Sequence, residues 1–196
     1  PRCCSSAASD VYKRQPIEHL TTLRSTPNMH TWRAASLLET AVAWKSAIQR
    51  NDGPSSLILT RQNIDNIENK SFDEVSRGGY FLRKFDDSNI QLIATGSEVS
   101  LALEAAEILE QEGVKCNVVS VPCIEVLETN KQTYKEIFTE SKINIAIECS
   151  HPNSWYAHTK NVIGIEEFGE SGKGHILMEH FGFTPKKIVE KIKSFL

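Results

Sequence analysis

The sequence lacks the cysteine density of a disulfide scaffold, with five in 196 residues, two of them adjacent near the start as Cys3 and Cys4. The other three, Cys116, Cys123 and Cys149, are odd in number, lack CxxC spacing, and each lies beside an apolar strand pattern. That excludes a disulfide scaffold and points to a reducing, cytoplasmic setting, with cysteine used as a small buried hydrophobe. Long apolar runs are missing too: none approaches the roughly 20 residues of a membrane-crossing helix. A charge of one sign is likewise absent, since 22 Lys and Arg stand against 25 Asp and Glu for a net −3. Neither a nucleic acid nor a membrane is therefore an expected partner. What remains is 40% hydrophobic, 24% charged and 8% aromatic, the composition of an ordinary globular protein.

Residues 1–15 lack periodicity of either kind. They have neither the positive start and apolar run of a secretory signal nor the amphipathic face of a mitochondrial presequence. Ser5–Gln15 reads instead like the translation of a sequencing-adapter end, in which GAT GTG TAT AAG AGA CAG encodes DVYKRQ. Pro1–Gln15 is accordingly read as a non-native tail, and the natural segment as starting at Pro16.

From Pro16 to Ser71 the patterning is that of an α/β segment. IEHLTTLRS reads as a helix and MHTWRAA as an extended stretch. Ser36-Leu37-Leu38-Glu39 fits a capping box, opening a helix whose apolar stripe takes in Leu37, Leu38, Ala41, Val42, Trp44, Lys45 and Ile48. After Asn51-Asp52-Gly53-Pro54, SSLILTR reads as a strand. Leu57-Ile58-Leu59 is apolar on both faces and expects cover on both, which two strands cannot supply. The segment therefore reads as the end of a larger α/β domain; Asn63–Ser76 is polar and acidic and reads as a surface crossing, with 72–77 set as the linker between the domains.

Gly78–Leu196 has a complete α/β rhythm. YFLRKF, IQLIATG, KCNVVSV, INIAIEC and NVIGIEEFG read as strands, and SEVSLALEAAEILEQEG as a strong helix closed by Gly113. CIEVLETN, KQTYKEIFTE, WYAHTK, GHILMEHFG and KKIVEKIKSFL read as further helices, the last behind a Thr184 cap and Pro185. The fold class predicted is α/β: the truncated end of one domain, then a three-layer α/β/α domain with a mainly parallel sheet and right-handed crossovers. The tight turn between YFLRKF and IQLIATG predicts one antiparallel edge strand.

Candidate chemistry is sparse. Gly96-Ser97-Glu98 closes a strand and opens a helix, where free amides can hold phosphate, but Glu98 already complements that helix dipole and capping is the favoured reading. GESGKG at 169–174 departs from a phosphate-binding loop at both ends, with Glu167 where glycine and Gly174 where Ser or Thr is needed. Cys149, His151 and His158 match no zinc spacing. His175 and His180 read as surface positions. Arg61 stands out, because it follows the apolar strand SSLILT, and the crevice beyond a strand's carboxyl end is the usual ligand site in such sheets. Its guanidinium fits phosphate or carboxylate; pairing with a linker acid is the equally weighted structural reading.

Several segments together resemble the transketolase family. Thr31-Trp32-Arg33, Glu39-Thr40-Ala41-Val42-Ala43-Trp44, Gly53-Pro54 and Leu57-Ile58-Leu59-Thr60-Arg61-Gln62-Asn63 are similar to the end of its pyrimidine-binding domain. Arg77-Gly78-Gly79-Tyr80, Ile93-Ala94-Thr95-Gly96-Ser97-Glu98-Val99, Phe168-Gly169-Glu170-Ser171 and Phe181-Gly182-Phe183-Thr184 are similar to its C-terminal domain. The resemblance implies transfer of a two-carbon ketol unit between sugar phosphates by a homodimer. It also implies thiamine diphosphate and a divalent metal (Mg or Ca), with the cofactor-activating residues upstream of Pro16. It implies one substrate-binding residue here, Arg61, on the sugar's terminal phosphate, with no catalytic, cofactor-binding or metal-binding residue and no activity for this chain alone. Ala34 and Ser36 depart from the family's proline and acid after the arginine. Two alternatives stand beside it: dihydroxyacetone synthase, and a non-catalytic module for dimerisation or for a small regulatory ligand at Gly96-Ser97.

Overall fold

The computed structural model describes residues 17–60, 64, 67, 71–170 and 172–196. The expected non-native tail lies outside them.

The first segment runs α1 (His19–Ser25), β1 (His30–Trp32), α2 (Leu37–Gln49), β2 (Ser55–Leu57) and a short α3 (Phe72–Val75). β1 and β2 pair in parallel, Trp32 opposite Leu57, with α2 as the crossover. Glu39, Val42 and Ala43 of α2 are buried, and Trp32, Val42 and Ala43 share a core cluster with Val75, Tyr80 and Cys123. The broad stripe expected on α2 is thus divided, for Leu37, Trp44 and Ile48 are exposed. The capping box is half formed. Ser36 Oγ accepts from Glu39 N at 3.2 Å, but the Glu39 carboxylate reaches back to Ala35 N rather than to Ser36. Inside the stretch read as a linker, Ser71 and Glu74 make a full capping box around α3, and Val75 buries completely.

The second segment comprises β3 (Tyr80–Arg83), β4 (Ile90–Ala94), α4 (Glu98–Gln111), β5 (Cys116–Ser120), α5 (Ile124–Thr129) and α6 (Lys131–Ile137). It continues with β6 (Ile143–Ile147), a 3₁₀ turn (Pro152–Ser154), β7 (Asn161–Ile163), α7 (Gly174–His180) and α8 (Pro185–Lys193). Its five strands are ordered β3-β5-β4-β6-β7. All pairs are parallel except β3 with β5. The antiparallel edge strand is present, but its neighbour is β5 and not the strand that follows it. Phe85 N bonds to Asn117 Oδ1 of β5 at 2.7 Å, so the turn after β3 carries the chain past β5 to β4.

Alternation along the strands builds two cores. Leu92, Val118, Ile145 and Ile147 pack with Val99, Ala102, Ala106 and Leu109 of α4 and Ile188 and Ile192 of α8. Ile93, Val119 and Ala146 point the other way, onto Ile124, Leu127, Ile137 and Trp155. α4 ends as its sequence predicts: Gly113 takes φ 85°, and its N–H and that of Val114 bond to Glu110 O and Leu109 O at 2.9 Å each. WYAHTK is not an α-helix. The 3₁₀ turn precedes it, and Trp155 is fully buried.

Candidate functional site

Arg61, the one substrate-site residue expected from sequence, lies outside the described residues. The chain leading toward it is described. Ile58 N donates to Trp32 O at 2.8 Å, so β2 runs alongside the end of β1, the carboxyl ends of both strands point the same way, and Arg33 directly follows β1.

Arg33 enters the second segment at the place where a doubly wound sheet usually takes its ligand. The chain passes from β4 to β5 on one side and then from β5 back across β4 to β6 on the other. The carboxyl ends of β4 and β6 therefore flank the crevice where ligands bind in such sheets. An acid follows each strand: Glu98 opens α4 four residues after Ala94, and Glu148 comes directly after Ile147. Arg33 Nη1 donates to Glu98 Oε2 at 2.7 Å and to Glu148 Oε1 at 2.8 Å. Its backbone seals the contact, since Arg33 N donates to Pro122 O at 2.8 Å and Gly96 N to Arg33 O at 3.2 Å. Gly96 has φ 59°, and a Cβ there would stand 3.2 Å from the Arg33 guanidinium. Only glycine accommodates both the left-handed turn and the approaching cation.

Arg24, from α1, closes the other side. It pairs with Glu148 through both terminal nitrogens, Nη2 reaching Oε1 at 2.8 Å and Nη1 reaching Oε2, and its guanidinium lies over the Trp155 ring, 5.3 Å from the centroid. Trp155 Nε1 and Ser150 Oγ donate to Glu148 Oε2 at 2.6 and 2.9 Å. Glu98 accepts from Cys149 N at 3.2 Å and Ser97 Oγ at 2.7 Å. Burial works against ionisation of Glu148, yet Arg24 and Arg33 beside it bring its carboxyl down to about 2. Arg33 stays charged: burial would lower its pKa, but Glu98 and Glu148 raise it overall. Two guanidiniums against two carboxylates make a neutral, closed cluster. Chemically it is a clamp, because both cations are already paired with carboxylates inside the cluster.

A second polar knot sits nearby. Glu39 of α2 accepts from Ala35 N at 2.5 Å, Tyr80 Oη at 2.8 Å and Ser120 Oγ at 2.6 Å. Burial raises its pKa, and the three donors offset part of that rise. Tyr80 and Ser120 belong to the second segment, so this knot also ties the two segments together.

The remaining sequence candidates are separate from one another. The Cys149 thiol, raised by burial, lies 3.9 Å from Met178 Sδ. His151 Nδ1 accepts from Asn153 N at 3.4 Å. His158 Nδ1 meets Tyr134 Oη at 2.8 Å, and burial lowers its pKa to about 4. Among the described residues no group of three or more His, Cys, Asp or Glu is arranged to hold a metal. In the crevice itself both arginines are already paired with Glu98 and Glu148, which leaves no cradle for a diphosphate there. The Gly96-Ser97 helix start, the one place considered for a regulatory ligand, is filled by Arg33. His175 and His180 are exposed. Sequence reasoning missed Arg24 and Glu148, named Arg33 only as part of a family segment without a role, and saw Glu98 only as a cap. The available signal was an acid placed after each of two apolar strands.

Fold and site together define a doubly wound α/β domain whose crevice is occupied by the α/β segment preceding it. The sequence profile "Transketolase-like TK C-terminal domain" matches residues 78–184, and "Transketolase, pyrimidine binding domain" matches residues 2–66. The chain belongs to the transketolase family. It is similar to Transketolase 1 of Pasteurella multocida, 42% identical over 193 residues, covering 93% of this chain and 29% of that protein. Among solved structures it resembles the Campylobacter jejuni transketolase (TM-score 0.85, 40% identity, 92% of this chain and 28% of that one). It also resembles a Pichia stipitis transketolase mutant in complex with fructose-6-phosphate (TM-score 0.89, 36% identity, 92% and 27%). The chain thus spans less than a third of the length of these relatives. No helix among the described residues is long and apolar enough to cross a membrane.

Proposed function

We propose that this chain is the carboxyl-terminal part of a transketolase that moves a two-carbon ketol unit between sugar phosphates in the pentose phosphate pathway. Residues 16–71 finish the pyrimidine-binding domain, 72–77 link, and 78–196 form the C-terminal domain. The observation that carries the reading is the match to two transketolase domains in order, at 42% identity over nearly the whole chain. The enzyme is a cytoplasmic homodimer without nucleic-acid or membrane partners. Thiamine diphosphate, when bound, supplies the carbanion chemistry with its divalent metal, both held by other parts of the enzyme. In this chain Arg61 grips the terminal phosphate of the sugar. The clamp of Arg24, Arg33, Glu98 and Glu148 anchors the end of β1, beside which β2 runs.

A chimera tests this. Residues 16–196 replace the matching segment of the Pasteurella multocida transketolase, and ketol transfer from xylulose 5-phosphate to ribose 5-phosphate is measured. Turnover is expected, and a folded but inactive chimera contradicts the reading. The chain alone is expected to give no turnover.

A further inference from the structure

Glu148 holds two different elements of the first segment at once. Its Oε1 accepts from Arg24 Nη2 of α1 and from Arg33 Nη1 at the end of β1, each at 2.8 Å. Its Oε2 accepts from Arg24 Nη1, Trp155 Nε1 and Ser150 Oγ. Five donors thus converge on one carboxylate, whose side chain is 1% exposed. The carboxylate is itself fixed, because Glu148 directly follows β6 and its N donates to Ile163 O of β7 at 3.1 Å. The loop behind it adds two ties to the α1 region: Thr21 Oγ1 donates to His151 O at 3.1 Å, and His151 N to Ile17 O at 3.4 Å.

Stability alone is a poor reason for such a cluster. Desolvating buried charges offsets most of what their attraction contributes, and well-packed apolar side chains often do as well. What directed bonds do supply is geometry: they set α1 and the end of β1 at fixed places relative to each other and to the sheet of the second segment. The end of β1 is one bond from β2. Trp32, the neighbour of Arg33, accepts from Ile58 N at 2.8 Å through its carbonyl, and Arg61 follows Ile58 by three residues in the sequence. The geometry points to Glu148 as a positioning residue of the transfer reaction. Acting through Arg33 and the β1–β2 pair, it sets the strand that leads to Arg61, and with it the grip on the sugar's terminal phosphate. The C-terminal domain thereby takes part in acceptor selection. This deepens the transketolase reading and rests on it, including the phosphate role of Arg61. A misplacement of about 1 Å far from the chemistry can cost up to about 100-fold, so loosening this contact is measurable.

The test measures kcat and KM of the chimera with ribose 5-phosphate and with unphosphorylated ribose as acceptors. Glu148→Gln keeps the shape of the side chain but not its charge. It is expected to raise KM for ribose 5-phosphate at least about fivefold, with kcat and both values for ribose within about twofold, the pattern of lost binding rather than lost chemistry. In the Arg61→Ala background the same substitution has no further effect on the phosphorylated acceptor, because residues acting in one chain of contacts are not additive. Leu109→Ala, in the core near the far end of α4, lowers stability without touching the clamp and leaves the ratio between acceptors unchanged. Should Glu148→Gln fail to fold, Glu148→Asp, which keeps the charge on a side chain one methylene shorter, carries the same expectations. An unchanged KM in a folded variant overturns the proposal. So do equal losses for both acceptors, a full further loss in the Arg61→Ala background, or a shifted ratio in Leu109→Ala. A folded but inactive chimera, or Arg61→Ala without effect on the phosphorylated acceptor, removes the transketolase reading itself and the proposal with it, so the two failures are told apart.

Discussion

Removing Arg33 is the sharpest perturbation of the clamp. In Arg33→Ala the cluster goes from two cations and two carboxylates to one and two. Glu148 keeps both bonds to Arg24 and those from Trp155 and Ser150. Glu98, 1% exposed, keeps only Cys149 N and Ser97 Oγ and is left a buried charge without a cation. Breaking a buried pair this way costs about 3–5 kcal/mol, a large share of the 5–15 kcal/mol typical of a whole domain. With a urea m-value of about 2–3 kcal/mol/M, the unfolding midpoint falls by about 1–2.5 M. Tryptophan fluorescence reads it directly, since Trp32 and Trp155 are both buried near the clamp. Arg33→Met combined with Glu98→Gln removes both charges and is expected to recover more than half the loss. A midpoint shift under about 0.3 M for Arg33→Ala, or a double variant no better than the single one, refutes the reasoning.

Acid should loosen the same site. Glu148 has a folded pKa of about 2 against an ordinary 4.5, so its contribution is complete above about pH 4.5 and is lost as pH falls toward 2. That amounts to about 3 kcal/mol, and urea midpoints for Glu148→Gln should lose this acid limb while the parent keeps it. Glu39 has the opposite sign: burial raises its folded pKa, so its contribution is present below pH 4.5 and lost as pH rises through the folded value. Tyr80→Phe withdraws one donor from the Glu39 carboxylate and should lower stability by about 1.5–3 kcal/mol, checked by the same unfolding assay. Gly96→Ala meets both the positive φ and the Arg33 guanidinium, and should lose at least about 1 kcal/mol by thermal unfolding.

Much of the second segment was legible in the sequence because its determinants are local. The period of α4 and its Gly113 terminator specify a helix and its end without outside help. The apolar runs of β4, β5 and β6 likewise announce buried parallel strands. Pairing order is not local: β3 reads as a hairpin with β4, and only the packing of the whole sheet sends it to β5. The faces of α2 were misjudged because period alone marks apolar positions without saying which of them a neighbour covers. The clamp was least legible of all. Arg33 meets Glu98 across 65 residues and Glu148 across 115, and a lone arginine after a strand looks the same whether it greets a ligand or a neighbouring segment. Arg33 directly follows β1, and Arg61 follows the apolar run SSLILT in the sequence; sequence favoured Arg61 for chemistry and overlooked the structural work of Arg33.

Acceptor discrimination by Arg61 tests the functional account most directly. In the active chimera, Arg61→Ala removes a charge-assisted contact of about 1.5–3 kcal/mol, about 10- to 150-fold in kcat/KM. The measurement is kcat/KM for ribose 5-phosphate against unphosphorylated ribose in both forms. The account predicts that Arg61→Ala lowers the value for the phosphorylated acceptor by at least tenfold while leaving the unphosphorylated one within twofold. Equal losses for both acceptors contradict it.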